Sequence, residues 1–189
     1  MNNNPRHIFI TGGARSGKSK FAEELVASIG RKIIYLATAE AWDREMEERI
    51  SKHQQRRPAD WMTIEEPIKV KEILVTYQEE YTILFDCLTM FLSNLYFKFE
   101  TNQNTEKIPN MVQQEIEDLA KIISASKANL VVVSNEVGWG IVPDNQLSRS
   151  FRDLAGIANQ FIAGISDEVY LVASGIPVKI KGAPDDSQS

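Results

Sequence analysis

An α/β protein whose mostly parallel sheet is flanked by helices is the fold this sequence predicts, on three observations. Short apolar runs alternate along the chain with longer segments of helical period, the pattern of βαβ units. Several runs lack polar alternation, Leu130-Val131-Val132-Val133 among them, as strands buried on both faces of a parallel sheet do. The first run also leads through a glycine-rich loop directly into a helix. At 189 residues the chain is expected to form one domain over residues 1–181, followed by a polar tail at 182–189 that frays.

Strands are expected at His7 to Thr11, Ile33 to Thr38, Thr82 to Cys87, Leu130 to Ser134 and Glu168 to Ala173, with a last short one at Val178 to Ile180. After the first strand, Phe21, Ala22, Leu25, Val26 and Ile29 make one apolar helical stripe. Val112, Ile116, Leu119 and Ile123 make a second between the third and fourth strands. Leu147, Phe151, Leu154, Ala158, Phe161 and Ile165 make the longest, at spacings of four and three. Residues 40–66 differ from their surroundings, being densely charged and interrupted at Arg57-Pro58. They are too long for a simple connection and read as a helical insertion, and an insertion of that size is usually functional. Thr101 to Thr105 is a polar break, expected as a surface loop.

Composition removes several classes of function. Lys+Arg 21 against Asp+Glu 26 leaves a net charge of -5, which argues against a nucleic-acid surface, since that would show a basic stripe. Cys87 is the single cysteine, so there is no internal disulfide and no cysteine-rich zinc pattern. No apolar run approaches the ~18 residues of a membrane span. Met1 to Pro5 lacks the basic-then-apolar pattern of a signal peptide, and a cytoplasmic protein is the expectation.

Gly12-Gly13-Ala14-Arg15-Ser16-Gly17-Lys18-Ser19 fits the phosphate-loop pattern G-x-x-x-x-G-K-[ST], in its proper place between a strand and a helix. Small glycines let backbone N–H groups converge on phosphate oxygens, and the helix N-terminus adds its positive dipole end. Lys18 is expected to reach the β/γ-phosphates and Ser19 to ligate Mg²⁺. A glycine-rich turn that merely starts a helix is the plainer reading, and the strand–loop–helix context argues against it. The expected ligand is a nucleoside triphosphate. Ile83-Leu84-Phe85-Asp86 has the Walker B form, an apolar strand ending in a carboxylate, and makes Asp86 the second Mg²⁺ ligand. Glu136, after the Leu130 strand, is a weaker candidate for positioning substrate or water.

Of the two histidines, His7 starts a strand and reads as structural. His53 shares one helical face with Trp42, Met46 and Ile50, which alone reads as a half-buried histidine on an amphipathic helix. Arg49, Lys52, Arg56 and Arg57 crowd it, however, which suits a polyphosphate site. A neutral imidazole there could attack phosphorus and form a covalent intermediate.

Taken together, the chain resembles the bifunctional adenosylcobinamide kinase / adenosylcobinamide-phosphate guanylyltransferase family of cobalamin biosynthesis. The resemblance runs through Thr11 to Ser19, Tyr35 to Ala39, Arg49-Ile50 with His53, Arg57-Pro58 and Trp61, and Asp86 to Thr89 with Ser93 to Leu95. It continues through Asn135 to Gly138, Gly140 to Pro143, Phe151 to Gly156 and Val172 to Pro177. The resemblance implies a P-loop NTPase-type (RecA-like) fold assembled as a homotrimer. It implies phosphorylation of adenosylcobinamide by ATP or GTP, then transfer of GMP from GTP to the phosphate, with His53 carrying the GMP. Nucleotide contacts carry over to the phosphate loop, Ala37, Thr38, Ala39, Gln54, Gln55, Arg56, Arg57, Glu65 and Asp86. A plain P-loop kinase would explain Lys18, Ser19 and Asp86 but leave the His53 segment as packing. A nucleotide-gated switch is the remoter alternative.

Overall fold

The computed structural model describes residues 4–41, 44, 47, 48, 50, 51, 54, 57–100 and 107–183. In chain order these form β1 (His7–Gly12), α1 (Lys18–Ile29), β2 (Lys32–Ala37), β3 (Met62–Glu65), α2 (Val70–Thr76) and β4 (Tyr81–Asp86). There follow α3 (Leu88–Glu100), α4 (Ile108–Ala125), β5 (Asn129–Asn135), a 3₁₀ turn at Val137–Trp139, α5 (Gln146–Ile165), β6 (Glu168–Ala173) and β7 (Ile176–Lys181).

The strands build one seven-stranded sheet in the order β3-β2-β4-β5-β1-β6-β7. All neighbours are parallel except β6 and β7, which form an antiparallel pair at one edge. Alternation within each buried strand explains the continuous apolar runs. Phe9, Leu36, Phe85 and Val132 face one layer, packed by Leu88, Phe91, Ile116, Leu154 and Ile162 from α3, α4 and α5. Ile8, Ile10, Leu84, Val131 and Val133 face the other, packed by Ala22 and Val26 of α1. Strands with both faces covered have no solvated side to mark with polar residues.

Helix ends follow local chemistry. α1 stops at Gly30 in the left-handed conformation (φ 76°), and Asn145 caps α5 by accepting from Ser148 N at 2.8 Å. Two features depart from expectation. Residues 40–66, read as a helical insertion, also hold β3, whose Met62–Glu65 pairs with Ile34 to Ala37 of β2. Residues 44, 47, 48, 50, 51 and 54 are helical. The short final run is a full strand, but Ile176, Val178 and Ile180 all stay exposed at the sheet edge.

Register decides what the site contains. Gly12 stands opposite Asn135, while Ala37 stands opposite both Asp86 and Glu65. The C-terminal ends of five adjacent strands therefore form a row, the place where open α/β sheets bind ligands.

Candidate active site

The phosphate loop joins β1 to α1 with Arg15 (φ 57°) and Gly17 (φ 94°) in the left-handed region. Ser16 N donates to Gly13 O at 3.2 Å, and Gly17 begins α1 without any side-chain cap. Among the described residues no side chain caps the first-turn N–H groups, as suits an anion site. The loop is supported from behind by the β6–β7 turn, where Gly175 N donates to Ser16 O at 2.8 Å. A Cβ on Gly17 would stand 3.1 Å from Gly175 Cα. The Val172 to Pro177 segment, expected only as family pattern, is the buttress of this loop.

Lys18 Nζ donates to Gly13 O and to Asn135 Oδ1, each at 3.0 Å. Burial pushes its pKa down, while Cys87 and Asp86 nearby oppose that. Burial, and then Asp86 beside it, drives the Cys87 thiol pKa up. Asp86 ends β4 and accepts a hydrogen bond on Oδ2 from the Tyr35 hydroxyl. Burial, then Asp86, holds the Tyr35 phenol protonated well above its ordinary range.

The Tyr35 ring carries Arg57, whose guanidinium carbon lies 3.8 Å from the ring centroid. Arg57 Nε and Nη1 are buried and have no hydrogen-bond partner among the described residues. One aromatic side chain thus links the acidic end of β4 to the end of the histidine segment.

Ala37, Thr38 and Ala39 leave β2 beside this cluster. Thr38 Oγ1 both accepts from Cys87 N and donates to Cys87 O, at 2.8 Å each. Asn94 of α3 donates to Thr38 O at 2.7 Å and to Pro67 O at 3.1 Å. Glu65 ends β3 and accepts from Gln54 Nε2 at 2.7 Å.

The structure therefore gathers the loop from Gly12 to Ser19 with Asp86 at one stretch of the row. Ala37, Thr38, Ala39, Gln54, Arg57 and Glu65 line the other. His53, Gln55 and Arg56 lie outside the described residues, as do Trp42 and Met46. Sequence pattern alone does not single out Tyr35, Asn94 or Asn159. Tyr35 reads as core because it sits in an apolar strand. Asn94 and Asn159 interrupt apolar helical segments, and that interruption is the signal that could have found them.

Ser19, half-buried in the first turn of α1, and Asp86 offer hard oxygen donors suited to Mg²⁺. Among the described residues no cluster of three acidic, His or Cys ligands exists, and Mg²⁺ ordinarily fills its shell with water and substrate phosphate oxygens beside one or two protein ligands.

Residues 8–180 match the family model described as cobinamide kinase / cobinamide phosphate guanyltransferase. The chain belongs to this family. It is 39% identical over 180 residues to the bifunctional adenosylcobalamin biosynthesis protein CobU of Escherichia coli, covering 92% of this chain and 99% of that protein. It is 41% identical to CobU of Salmonella typhimurium over 92% of this chain and 99% of that one. CobP of Pseudomonas aeruginosa is 40% identical, with 93% and 97% covered. Membership of the cobinamide kinase / guanyltransferase family makes the chain a bifunctional transferase of adenosylcobalamin biosynthesis. Among solved structures it is similar to the type III secretion ATPase EscN of enteropathogenic E. coli, with TM-score 0.56 and 11% identity, covering 91% of this chain and 43% of that one. A second type III secretion ATPase gives TM-score 0.52 at 11% identity, with 89% and 51% covered. Those likenesses show the P-loop ATPase fold alone.

Proposed function

We propose that the chain phosphorylates adenosylcobinamide with ATP or GTP, then transfers GMP from GTP to the phosphate through a guanylyl-His53 intermediate. The observation that carries this is Arg57. Its guanidinium is stacked on Tyr35 beside Asp86, with buried Nε and Nη1 unpartnered among the described residues, four residues after His53. Buried donors of that kind call for an anion, and a phosphate chain supplies one.

In the first reaction, Lys18 exchanges Asn135 and Gly13 for β/γ-phosphate oxygens, and the capless first turn of α1 holds the rest. In the second, an imidazole nitrogen of His53 forms a bond to the α-phosphorus of GTP, and pyrophosphate leaves. A phosphate oxygen of adenosylcobinamide phosphate then attacks the same phosphorus, the N–P bond breaks and adenosylcobinamide-GDP is released. Lys18, Arg57 and the loop N–H groups stabilise the leaving charge. Ser19 and Asp86 are the proposed Mg²⁺ holders, and the ion, when bound, neutralises phosphate charge. Gln54, Gln55, Arg56, Glu65 and residues 37–39 are proposed to contact the nucleotide.

The proposed organisation is a single domain over residues 1–181 in the cytoplasm, assembled as the homotrimer that the family resemblance implies. Among the described residues no helix is long and apolar enough to cross a membrane. The test of function is incubation with Mg²⁺ and [α-³²P]GTP followed by denaturation. Acid-labile, alkali-stable label on wild type that disappears in His53→Ala supports the covalent route. Absence of label with GTP still bound leaves a P-loop kinase.

A further inference from the structure

We propose that Glu136 is the general base for the phosphoryl-transfer half of the reaction, and that Asn159 is the residue that positions it. The inference rests on the bifunctional reading above and deepens it.

Glu136 directly follows Asn135, the residue whose Oδ1 holds Lys18. Its backbone N donates to Gly12 O at 2.9 Å, which pins it to the first residue of the phosphate loop. Both carboxylate oxygens are oriented, and both by neutral donors. Oε1 accepts from Gly138 N at 3.4 Å and Oε2 from Asn159 Nδ2 at 3.3 Å. No ion pair engages this carboxylate among the described residues. It is aimed without being neutralised, and both contacts are long enough to yield to a substrate.

The aiming comes from a buried polar chain. Asn159 Oδ1 accepts from Ser134 Oγ at 2.7 Å, and Ser134 Oγ lies 3.1 Å from Thr89 Oγ1. Thr89 Oγ1 in turn accepts from Asn135 N at 2.9 Å. Ser134, Thr89 and Asn159 are all buried, between 0% and 8% exposed. Apolar residues would pack this position between β5, α3 and α5 at lower desolvation cost. The chain begins at Asn135, which holds Lys18 until phosphate oxygens replace it, and ends at the carboxylate, so it sets Glu136 against the phosphate-loop end of β5. Immediately beyond, Trp139, Ile141 and Val142 are 64%, 96% and 63% exposed, an open apolar surface on which a large alcohol substrate can lie.

The chemistry separates the two half-reactions. When an alcohol attacks the γ-phosphorus, its O–H proton passes to a Glu136 carboxylate oxygen. The new O–P bond forms, the bond from the γ-phosphorus to the β–γ bridging oxygen breaks, and the nucleoside diphosphate leaves with that electron pair. Glu136 later releases the proton to solvent. Guanylyl transfer uses an imidazole nitrogen and then a phosphate oxygen, neither of which has a proton to lose before attack. A base at Glu136 serves the first reaction alone.

The test measures both activities on the same preparations. Glu136→Gln is expected to lower kcat for adenosylcobinamide phosphorylation by about 10²- to 10⁴-fold. KM for the nucleotide, and enzyme labelling by [α-³²P]GTP, should stay within about threefold of wild type. Asn159→Asp keeps an acceptor for Ser134 but removes the donor to Glu136, and should lose kcat in phosphorylation while GMP transfer to pre-phosphorylated substrate persists. Glu136→Asp should restore part of the kcat lost in Glu136→Gln. Unchanged phosphorylation in Glu136→Gln, or equal loss of both activities, overturns the assignment. Wild type that neither phosphorylates adenosylcobinamide nor takes label overturns the bifunctional reading itself, and this proposal with it.

Discussion

Adjacent glycines in the phosphate loop should respond oppositely to the same methyl group. A Cβ at Gly12 would lie 2.4 Å from Val172 O, 2.7 Å from Ser16 Oγ and 3.3 Å from Ser16 Cβ, whereas one at Gly13 meets nothing within 4 Å. The Val172 carbonyl belongs to β6, which is paired to β1 on one side and β7 on the other. It can retreat to normal contact only by disturbing a ladder. Overpacking of this kind costs about 1–3 kcal/mol, and a backbone obstacle places Gly12→Ala near the top of that range. For a chain of this size each kcal/mol moves Tm by roughly 2–4 °C, so a loss of about 6–12 °C is expected. Gly13→Ala should change stability by less than about 1 kcal/mol, with a small gain from the stiffer unfolded chain. Thermal unfolding of both variants without nucleotide reads the difference. Equal melting temperatures, or the reverse order, would refute the packing account of Gly12.

Asn94→Ala strips the only side-chain donor to Thr38 O and Pro67 O among the described residues, and each orphaned carbonyl costs about 1–3 kcal/mol. The urea midpoint should fall with an unchanged m-value, and a preserved midpoint counts against the role given to Asn94. Tyr35→Phe keeps the ring under Arg57 but removes the hydroxyl bond to Asp86, with an expected loss of about 1.5–3 kcal/mol by denaturant titration. Tyr35→Leu should lose more, and equal losses would mean that the ring contributes nothing. At Glu168, burial favours the neutral acid, but Arg6, Tyr170 and Lys179 outweigh it and hold the carboxyl below its ordinary pKa. A depressed folded pKa gives stability that is present above about pH 4.3 and lost as pH falls through the folded value. The gap between urea midpoints at pH 7 and pH 3 should therefore narrow in Glu168→Gln, and an unchanged gap would exclude this carboxylate as a source of acid sensitivity.

How far the sequence could be read depended on whether a signal was local. The strand at Glu168–Ala173 and the stripes of α1, α4 and α5 are local periodicities, and they appear where the pattern put them. β3 was hidden because Met62–Glu65 is a four-residue edge strand, mostly exposed, whose strand character comes from β2 beside it. The phosphate loop was legible as a motif, but the reasons for its glycines were not. Gly12 is required by the approach of β6, and Gly17 by its left-handed backbone and the nearness of Gly175. Those neighbours are some 160 residues away in sequence. The same limit applies to Tyr35, whose hydroxyl meets a carboxylate fifty-one positions later.

The order of strands also works as a ruler. Gly12 on β1 and Glu65 on β3 end strands four steps apart in the sheet, which at ~4.8 Å per step sets them about 19 Å from each other. No side chain spans that distance, so a ligand touching both stations must be extended along the strand ends. Main-chain hydrogen bonds hold the graduations of this ruler. Substitutions can alter the chemistry at any one mark, but only gaining or losing a whole strand between β1 and β3 would change the length being measured.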